Sequence, residues 1–345
     1  MGARVAVTGA QGLLGRHVTA AFLDDGADAI LGLGRSPRRD HRYTHDLEWL
    51  GTRVAAPVPE GLQRAVADPR YAYEALDVRE AGSVRAASER FRPDVVIHAA
   101  AALRDASWNE LLASNVEATI GLVQGLVASA GPTRLVLVSS GSVYGAGHGE
   151  LPFREDGPAE PLDPYGATKR AGEDVARIAA AGTGVQVVVA RVFNLVGPAL
   201  QDRHLPGSLA ARISAIARGL APAELRLGPL GSTRDFVDLR DAAAALVLLA
   251  TAPDPPAVAN VGSGRETPVQ SVLDVLLELA GRPDVKLEWT QGRRADVPRS
   301  VADVRRLAQL GFSPEHRLRE TLGQMLAYFD SFPPCQLACK VERSS

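Results

Sequence analysis

The amino-terminal segment joins a short apolar run to three glycines and then to a helical pattern. Val5–Val7 is typical of a buried strand, Gly9, Gly12 and Gly15 follow it, and Leu13–Leu23 has helical periodicity. In such a unit the first glycine permits a tight turn, the second lets the backbone approach a pyrophosphate, and the third allows close helix packing. The segment therefore predicts a dinucleotide site. The spacing is one residue longer than GxGxxG, and a glycine-rich turn without a ligand is the alternative.

Apolar runs of strand length alternate with amphipathic segments through the first 190 residues. This alternation is typical of βαβ units, and it predicts a parallel sheet with helices on both faces. The predicted strands are Val5–Thr8, Ala29–Leu33, Val95–His98, Leu135–Ser139 and Val185–Val189, and the predicted helices are Leu13–Leu23, Ser83–Phe91, Trp108–Ala128 and Lys169–Ala180.

The pattern loosens after Arg191, and the remainder predicts a smaller mixed α/β part. Thr267 and Pro268 predict the capped start of a helix that ends at Gly281. We expect a dinucleotide-binding domain over 1–190, with part of its sheet completed by 235–262, a mainly substrate-binding domain over 191–332, and a flexible tail over 333–345. Other elements are predicted at Leu209–Arg218, Asp241–Ala250, Lys286–Trp289 and Thr321–Phe329.

Composition excludes several classes of partner. The net charge is −2, which does not favour nucleic acid or a membrane surface. No segment is expected to approach the roughly 20 apolar residues of a membrane span, and the start of the chain does not resemble a signal peptide. These features predict a cytoplasmic protein. Cys335 and Cys339 are too few for a metal site, so no metal is expected.

The end of the second predicted strand carries arginine where many NAD sites carry an acidic residue. About 20 residues after the glycines the chain has Gly34 and Arg35, with Arg38 nearby. A carboxylate repels a 2′-phosphate, whereas a guanidinium can bind it with two hydrogen bonds. Arg35 and Arg38 therefore predict NADP(H) rather than NAD, and the alternative is a solvated basic loop.

A tyrosine and a lysine lie four residues apart at a predicted helix start. Tyr165 and Lys169 follow Asp163 and Pro164, which are typical of an N-cap and a first helical residue. An ammonium near a phenol lowers the pKa of the phenol and makes it a better proton carrier at neutral pH. Ser140, at the end of another strand, could hold the reacting oxygen. A surface Tyr–Lys pair is the alternative.

Taken together, the motifs resemble those of the extended short-chain dehydrogenases/reductases that act on nucleotide sugars as epimerases, dehydratases or reductases. The resemblance covers nearly all of residues 4 to 330 and implies a Rossmann fold, a doubly wound parallel sheet. The matching motifs are Thr8–Gly15, Asp77–Val78, His98–Ala101, Asn115–Val116, Ser139–Gly145, Tyr165–Lys169, Arg191–Asn194, Arg234–Asp238 and Arg293–Asp296.

The resemblance implies roles for individual residues. Tyr165 would be the general acid/base, Ser140 would bind the reacting oxygen, and Lys169 would hold the nicotinamide ribose and tune Tyr165. The implied cofactor-binding residues are Gly9, Gln11, Gly12, Leu13, Leu14, Gly15, Arg35, Arg38, Asp77, Val78, Ala99, Ala100, Ala101, Asn115, Lys169 and Val192. The implied substrate-binding residues are Arg104, Ser142, Asn194, Arg234, Arg293 and Asp296.

Of these residues, the resemblance implies that Asn194, Arg234 and Arg293 contact the nucleotide diphosphate, which arginine can bind with bidentate contacts. Asp296 would hold a ribose hydroxyl or orient Arg293. The alternatives are a salt bridge of Arg234 with Asp235 or Asp238, and a solvated loop at Arg293. His98 is expected to be a packed, hydrogen-bonded residue outside the mechanism. Arg104, His148 and His204 could touch the sugar.

Two residues after Ser140 distinguish among members of the family. The dehydratases carry an acidic pair there, whereas this chain has Gly141 and Ser142, so dehydration is not expected. The remaining pattern resembles 4-ketoreductases such as the bacterial GDP-4-keto-6-deoxymannose reductases, and Arg35 favours NADPH-dependent reduction. A 4-epimerase and a non-catalytic NADP-binding regulator are the alternatives. Family members often form homodimers through two helices, for which Trp108–Ala128 and Lys169–Ala180 are the candidates.

Overall fold

The computed structural model describes residues 2–129, 131–147, 151–291 and 297–334. Its strands are β1 (Arg4–Thr8), β2 (Ala29–Gly34), β3 (Arg42–Trp49), β4 (Thr52–Pro57), β5 (Tyr71–Ala75), β6 (Val95–His98), β7 (Thr133–Ser140), β8 (Val185–Val192), β9 (Asn194–Val196), β10 (Glu224–Leu227), β11 (Thr233–Arg234), β12 (Phe236–Asp238), β13 (Val258–Val261), β14 (Thr267–Pro268), β15 (Lys286–Trp289) and β16 (Arg299–Ser300).

The helices complete the order of elements along the chain. A π-helical turn (Ala113–Glu117) joins α4 to α5, and a 3₁₀ turn (Gly141–Tyr144) follows β7. The α-helices are α1 (Leu13–Asp24), α2 (Glu60–Ala67), α3 (Ala81–Phe91), α4 (Trp108–Leu112), α5 (Ala118–Ala128), α6 (Pro164–Ala180), α7 (Leu205–Ala217), α8 (Leu239–Thr251), α9 (Val269–Leu279), α10 (Arg305–Gln309) and α11 (Leu318–Asp330).

Seven strands form the central sheet, in the order β13-β8-β7-β6-β1-β2-β5. Every neighbouring pair is parallel. The order reverses between β1 and β6, and in open α/β sheets ligands bind at the carboxyl ends of the strands beside such a reversal. The predicted doubly wound α/β fold is therefore confirmed, and the sheet places the glycine motif at this edge.

Alternation along the strands explains why both faces of the sheet are covered. Val5 and Val7 point into one apolar cluster with α1 and α8, whereas Ala6 joins a second cluster with α3, α5 and α6. The same alternation recurs at Val95–Ile97. A strand buried on both faces reads as a continuous apolar run, which is why the sequence identifies these strands well.

One predicted helix start is wrong. Thr267 does not cap a helix, because Thr267–Pro268 pairs as β14 with β11 and the helix begins at Val269 without a side-chain cap. The amide of Val269 donates to the carbonyl of Ser232, so tertiary pairing satisfies a group that a cap would otherwise serve. The carboxyl end of α9 agrees with the predicted end, since Gly281 lies just after the helix with a φ of +63°.

The stretch Trp108–Ala128 is the one described helix that could span a membrane by length and composition. The prediction that no segment approaches that length is therefore wrong. Half of its most apolar window is buried in the protein, where α5 packs between α3 and α6. Leu122, Val123 and Leu126 are almost fully buried there, so these apolar residues form part of the core.

Residues 42–57 form an antiparallel hairpin, β3–β4, that the sequence analysis did not identify. Tyr43, Leu47 and Trp49 are buried in a third apolar cluster, together with α7, α9 and α11. The indole of Trp49 donates to the carbonyl of Pro333 at 2.9 Å, and the hydroxyl of Tyr328 donates to the carbonyl of Pro57 at 2.8 Å. The hairpin thus packs with the carboxy-terminal part of the chain.

The division into domains at residue 190 stays a prediction. The strand Val258–Val261 forms the edge of the central sheet beside β8, within the range expected to complete it. Of the predicted tail, Pro333 and Pro334 are described. Residues 335–345, with both cysteines, lie outside the described residues.

We expect Trp49→Ala to lower the free energy of unfolding by about 3–5 kcal/mol, because it empties a site packed against aromatic rings. The indole of Trp49 lies 5.9 Å from the ring of Phe329 and 5.5 Å from that of Phe332, centroid to centroid. Trp289, 54% exposed, is the matched control, and Trp289→Ala should cost less than about 1 kcal/mol. Urea unfolding measures both, and equal losses would contradict the packing assigned to the hairpin.

Candidate active site

The glycine motif forms a tight backbone cradle at the carboxyl edge of β1. Gly9 has a φ of +68°, and a Cβ there would lie 2.8 Å from the amide nitrogen of Ala100. A Cβ on Gly15 would lie 2.2 Å from the carbonyl oxygen of Gly9. Helix α1 then begins at Leu13 with neither a side-chain cap nor an acidic residue in its first turn. Its first amides are therefore open to an anion, which fits the phosphates of a dinucleotide.

The loop after β2 is held by side chains from the glycine motif and its helix. The Gln11 amide donates to the carbonyl of Pro37 at 3.0 Å and accepts from the amide of Arg39. Arg16 is almost fully buried, and it donates to the carbonyls of Arg39 and, at 2.8 Å, of Arg42. Gln11, predicted to bind cofactor, thus uses its side chain to shape the loop.

Arg35 and Arg38 differ in how they are engaged. In the described part of the chain no hydrogen bond or ion pair occupies Arg35, which is exposed at the turn after β2. Arg38 pairs with Asp40 at 2.7 Å and donates to the carbonyl of Val66 at 2.8 Å. Of these two residues, Arg35 presents a free guanidinium, whereas Arg38 is engaged with Asp40 and Val66.

Asp77 and Val78, two of the predicted cofactor-binding residues, follow β5, the neighbour of β2 in the sheet. A hydrogen bond from Arg79 lowers the pKa of Asp77, and the positive charge of Arg35 contributes to that shift. Arg79 also forms an ion pair with Asp77 at 2.6 Å. Val78 is buried in the cluster under β2, and Ala99 packs at the end of β6. These residues line the same edge of the sheet as the glycine cradle.

Helix α6 begins as the sequence predicts. The Asp163 carboxylate accepts from the amide of Gly166 at 2.7 Å, and Pro164 occupies the first turn. Tyr165 is half-buried in that turn. Burial raises the pKa of Tyr165, and a hydrogen bond with Ser140 and the positive charge of Arg104 oppose that rise. The structure therefore brings Ser140, at the end of β7, to the phenol at the start of α6.

Lys169 lies one turn after Tyr165, but its ammonium faces β7. Its Nζ donates to the carbonyl of Val138 at 2.6 Å. Burial lowers the pKa of Lys169 to about 8, and the negative charge of Glu173 opposes that shift. The positive charge of Arg104 lowers the pKa of the Tyr165 phenol in this structure, and the tuning of Tyr165 by Lys169 stays a prediction.

A buried ion pair supports the floor of the site. Arg191 on β8 donates to both carboxylate oxygens of Glu173 on α6, at 3.0 and 2.8 Å, and the Ser139 hydroxyl donates to the same carboxylate at 2.6 Å. The side chain of Arg191 is 3% exposed and that of Glu173 is 0% exposed. Sequence analysis missed this pair, because a glutamate inside an amphipathic helix reads as solvent-facing.

Asn115 and His98 use their side chains within the protein. The Asn115 amide accepts from the amide of Ala102 at 2.9 Å and donates to the hydroxyl of Thr168 at 3.0 Å, which ties the loop after β6 to α6. His98 shares hydrogen bonds with the hydroxyls of Thr8 at 2.7 Å and Thr119 at 3.3 Å. Burial lowers the pKa of His98 to about 3, so it is neutral and structural, as predicted.

Two of the predicted substrate residues, Asn194 and Arg234, lie on the short strands β9 and β11. Burial lowers the pKa of Arg234, and the positive charge of Arg104 lowers it further, so the two guanidiniums lie near enough for their charges to repel. Arg234 donates to the carbonyl of Thr233 at 2.7 Å and pairs with no carboxylate in the described ranges. The alternative salt bridges are absent there, since Asp235 accepts from Ser263, Gly264 and Ala302 and Asp238 pairs with Arg240.

Other predicted contacts are engaged locally or not described. The Asn194 amide donates to the carbonyl of Asp235 at 3.0 Å, and the Ser142 hydroxyl accepts from Arg104 at 2.8 Å. Arg293, Asp296 and His148 lie outside the described residues. Val192 ends β8 opposite Ser140, and Leu13 and Leu14 pack against apolar clusters. Within the described residues no group of three or more His, Cys, Asp or Glu could hold a metal ion.

A dinucleotide cradle joined to a Ser–Tyr–Lys set defines an NAD(P)-dependent enzyme of the extended short-chain dehydrogenase/reductase class. A model of the NAD dependent epimerase/dehydratase family matches residues 5–262, and the chain belongs to this family. The family acts with NAD(P), and curated relatives of this chain include reductases, dehydrogenases and epimerases of nucleotide sugars.

Individual relatives cover most of the chain. A dTDP-6-deoxy-L-talose 4-dehydrogenase (NAD(P)(+)) from Kitasatospora kifunensis is 30% identical over 94% of each chain. A GDP-6-deoxy-D-mannose reductase from Pseudomonas aeruginosa is 32% identical over 69% of this chain and 81% of its own. The structure of RMD from Pseudomonas aeruginosa complexed with NADPH superposes with a TM-score of 0.75 at 26% identity, over 95% of this chain and 99% of that one.

We expect Glu173→Gln to lower the free energy of unfolding by about 3–5 kcal/mol, because it leaves the Arg191 charge buried without its partner. Glu89→Gln is the matched control, since Glu89 also pairs with an arginine but on the exposed surface of α3, and it should cost under about 1 kcal/mol. Chemical unfolding of both variants measures the difference. A loss at Glu173 as small as that at Glu89 would contradict the supporting role of the pair.

Proposed function

We propose that the protein reduces a nucleotide-linked 4-keto sugar with NADPH. The observation that carries this proposal is the convergence of Ser140 at the end of β7 with Tyr165 at the start of α6, where the Arg104 guanidinium lies 5.6 Å from the Tyr165 ring centroid. The cofactor edge fits a dinucleotide, and Arg234 fits the diphosphate of a sugar nucleotide. The reductase and the 4-dehydrogenase among the relatives support the same chemistry.

The residues divide the work of carbonyl reduction. Bound NADPH supplies the hydride. Ser140 orients the carbonyl oxygen by a hydrogen bond, and Tyr165 gives that oxygen its proton. Lys169 holds a positive charge one turn away and is suited to bind the nicotinamide ribose. Arg234 binds the diphosphate, which relieves the repulsion between its own charge and that of Arg104.

Dehydration lacks the groups that it needs. Gly141 and Ser142 follow Ser140, and neither carries a carboxylate. A Cβ at Gly141 would lie 3.2 Å from the ring of Phe193, so any side chain at that position would require the buried ring to shift by a few tenths of an ångström. This packing supports reduction or epimerisation rather than elimination of water.

The free guanidinium of Arg35 supports NADPH over NADH. Arg35 is exposed in the turn after β2, the turn that contacts the adenosine ribose in dinucleotide sites, and it forms no ion pair with a carboxylate of the described residues. Solved relatives hold either cofactor: RMD from Pseudomonas aeruginosa is complexed with NADPH, and MoeE5, 28% identical, is in complex with UDP-glucuronic acid and NAD.

Nucleotide-sugar 4-epimerisation is the second candidate. Ser140, Tyr165 and Lys169 serve oxidation followed by re-reduction equally well, and a UDP-glucose 4-epimerase from Azospirillum brasilense is 28% identical over 91% of this chain. An epimerase would retain NAD(H), whereas a reductase exchanges its cofactor at each turnover. The exposed Arg35 therefore favours the reductase.

We also propose a cytoplasmic homodimer. Apolar side chains on two neighbouring helical segments, Trp108 and Leu112 on α4 and Ile178 on α6, are exposed. Such side chains suit a helical interface with a second copy of the chain.

We expect the purified protein to consume NADPH stoichiometrically with a 4-keto sugar nucleotide, measured in a panel of 4-keto and hydroxy sugar nucleotides. Interconversion of two sugar nucleotides without net cofactor change would favour the epimerase, and neither activity would favour a regulator.

A second prediction concerns the proton donor. Tyr165→Phe should lower kcat about 100-fold or more, because the proton donor is lost. Tyr328→Phe, remote from the cleft, is the matched control, and full turnover by Tyr165→Phe would overturn the mechanism.

We expect Arg35→Ala to raise the KM for NADPH by about tenfold or more while that for NADH changes little, because a charge-assisted contact to the 2′-phosphate is lost. Arg64→Ala is the matched control, since Arg64 is exposed on α2 and pairs with Glu60. Arg38→Ala should have a smaller effect than Arg35→Ala, given its contacts with Asp40 and Val66. Steady-state kinetics with both cofactors tests this, and equal effects of Arg35→Ala on NADPH and NADH would contradict the assignment.

A further inference from the structure

Arg104 lies against the face of the tyrosine at the start of α6. It belongs to the loop after β6, and its guanidinium carbon is 5.6 Å from the ring centroid of Tyr165. A cation over an aromatic face within about 6 Å is attracted to the ring. The sequence analysis considered Arg104 only as a substrate contact, so its position over the phenol assigns it a different task.

Two further contacts fix the guanidinium in this place. One nitrogen donates to the Ser142 hydroxyl at 2.8 Å, and the other pairs with the Asp163 carboxylate. Asp163 is itself fixed, because its second oxygen caps α6 at the amide of Gly166. Arg104 is 61% exposed, yet it is tethered to both elements that carry the reacting side chains, the end of β7 and the start of α6.

The other charged groups around Tyr165 are engaged elsewhere. The Lys169 ammonium donates to the carbonyl of Val138, and Glu173 on the same helix pairs with Arg191. Arg234 lies near enough to Arg104 for their charges to repel, and it donates to the carbonyl of Thr233. Arg104 is therefore the cation placed to act on the phenol, and Asp163 is the carboxylate that holds it.

We propose that Arg104 is an electrostatic positioning residue for Tyr165, which holds the phenol beside Ser140 and stabilises the phenolate formed when the proton leaves. The proposal rests on the proposed reduction. In that step the carbonyl carbon gains a C–H bond from hydride, the C=O π electrons move to oxygen, and that oxygen takes the phenolic proton. The ketone is reduced, the nicotinamide is oxidised, and Tyr165 carries the negative charge until it is reprotonated from solvent.

A spectroscopic titration tests the proposal without any substrate. The ultraviolet absorbance of tyrosinate is followed against pH in the wild-type chain and in Arg104→Gln, each with Tyr165→Phe subtracted to isolate one of the six tyrosines. Removing the guanidinium leaves burial and the hydrogen bond with Ser140, so the midpoint for Tyr165 should move to higher pH. Arg104→Lys keeps the charge, so its Tyr165 midpoint should lie between those of the wild type and Arg104→Gln.

Arg85→Gln is the matched control, because Arg85 is similarly exposed and pairs with a carboxylate, Glu89, on the remote helix α3. It should leave the Tyr165 midpoint in place. An unchanged midpoint in Arg104→Gln would overturn the proposal. If that variant does not fold, as judged by circular dichroism, the lysine variant decides, since a midpoint equal to or below the wild-type value would overturn it.

Kinetics then separates positioning from substrate recognition. In Arg104→Gln the kcat for keto-sugar reduction should fall about fivefold to tenfold, and the alkaline limb of its pH profile should shift upward, with a KM change below about twofold. A raised KM with unchanged kcat and an unmoved alkaline limb would instead assign Arg104 to substrate binding and overturn the proposal. The titration is independent of activity, so failure of the proposed reduction and failure of this inference are distinguishable.

Discussion

The buried pair of Glu173 and Arg191 is the interaction on which the site depends. It joins α6 to β8, and the Ser139 hydroxyl adds β7 to the same carboxylate. Two opposite charges in a low-dielectric interior are stable only when their hydrogen bonds are satisfied, so the geometry of such a pair is narrowly defined. Because a helix is stiff over two turns, fixing Glu173 also fixes Tyr165 and Lys169 over the end of β7.

The same network reaches the outer strand of the sheet and the segment before α6. Arg191 also donates to the carbonyl of Glu155, whose carboxylate accepts from the backbone amide of Asn260 on β13. The side-chain amide of Asn260 donates to the carbonyls of Phe153 and Asp303. The buried Glu173–Arg191 pair and its hydrogen-bond partners thus join elements that are far apart in sequence.

The sequence predicts the central sheet well and the second half of the chain less well. Five predicted strands recur with boundaries shifted by at most three residues, because strands buried on both faces are continuous apolar runs. The helix cap at Thr267 was wrong and the hairpin at 42–57 was missed. Both depend on contacts with residues that are distant in the chain, which a local pattern cannot reveal. Thr267 pairs with Arg234, and Trp49 of the hairpin bonds to Pro333.

At the site, the sequence identifies residue types but not how their side chains are used. The glycines and the cap at Asp163 follow from backbone rules and take the form predicted. Gln11 and Asn115 bond to backbone and side-chain partners inside the protein, and Lys169 faces a carbonyl of β7. Polar residues with several possible partners are resolved only by the fold, which is why Arg104 became visible as a neighbour of Tyr165 only in three dimensions.

The hairpin has a consequence for how the chain could be recombined with its relatives. Tyr43 and Trp49 belong by sequence to the cofactor half but are buried against α7 and α11. A chimera spliced at residue 190 would pair this hairpin with a foreign carboxy-terminal half and expose two large aromatic side chains. A chimera designed to change substrate preference should therefore take both the hairpin and the carboxy-terminal half from one parent, and the rest of the central sheet from the other.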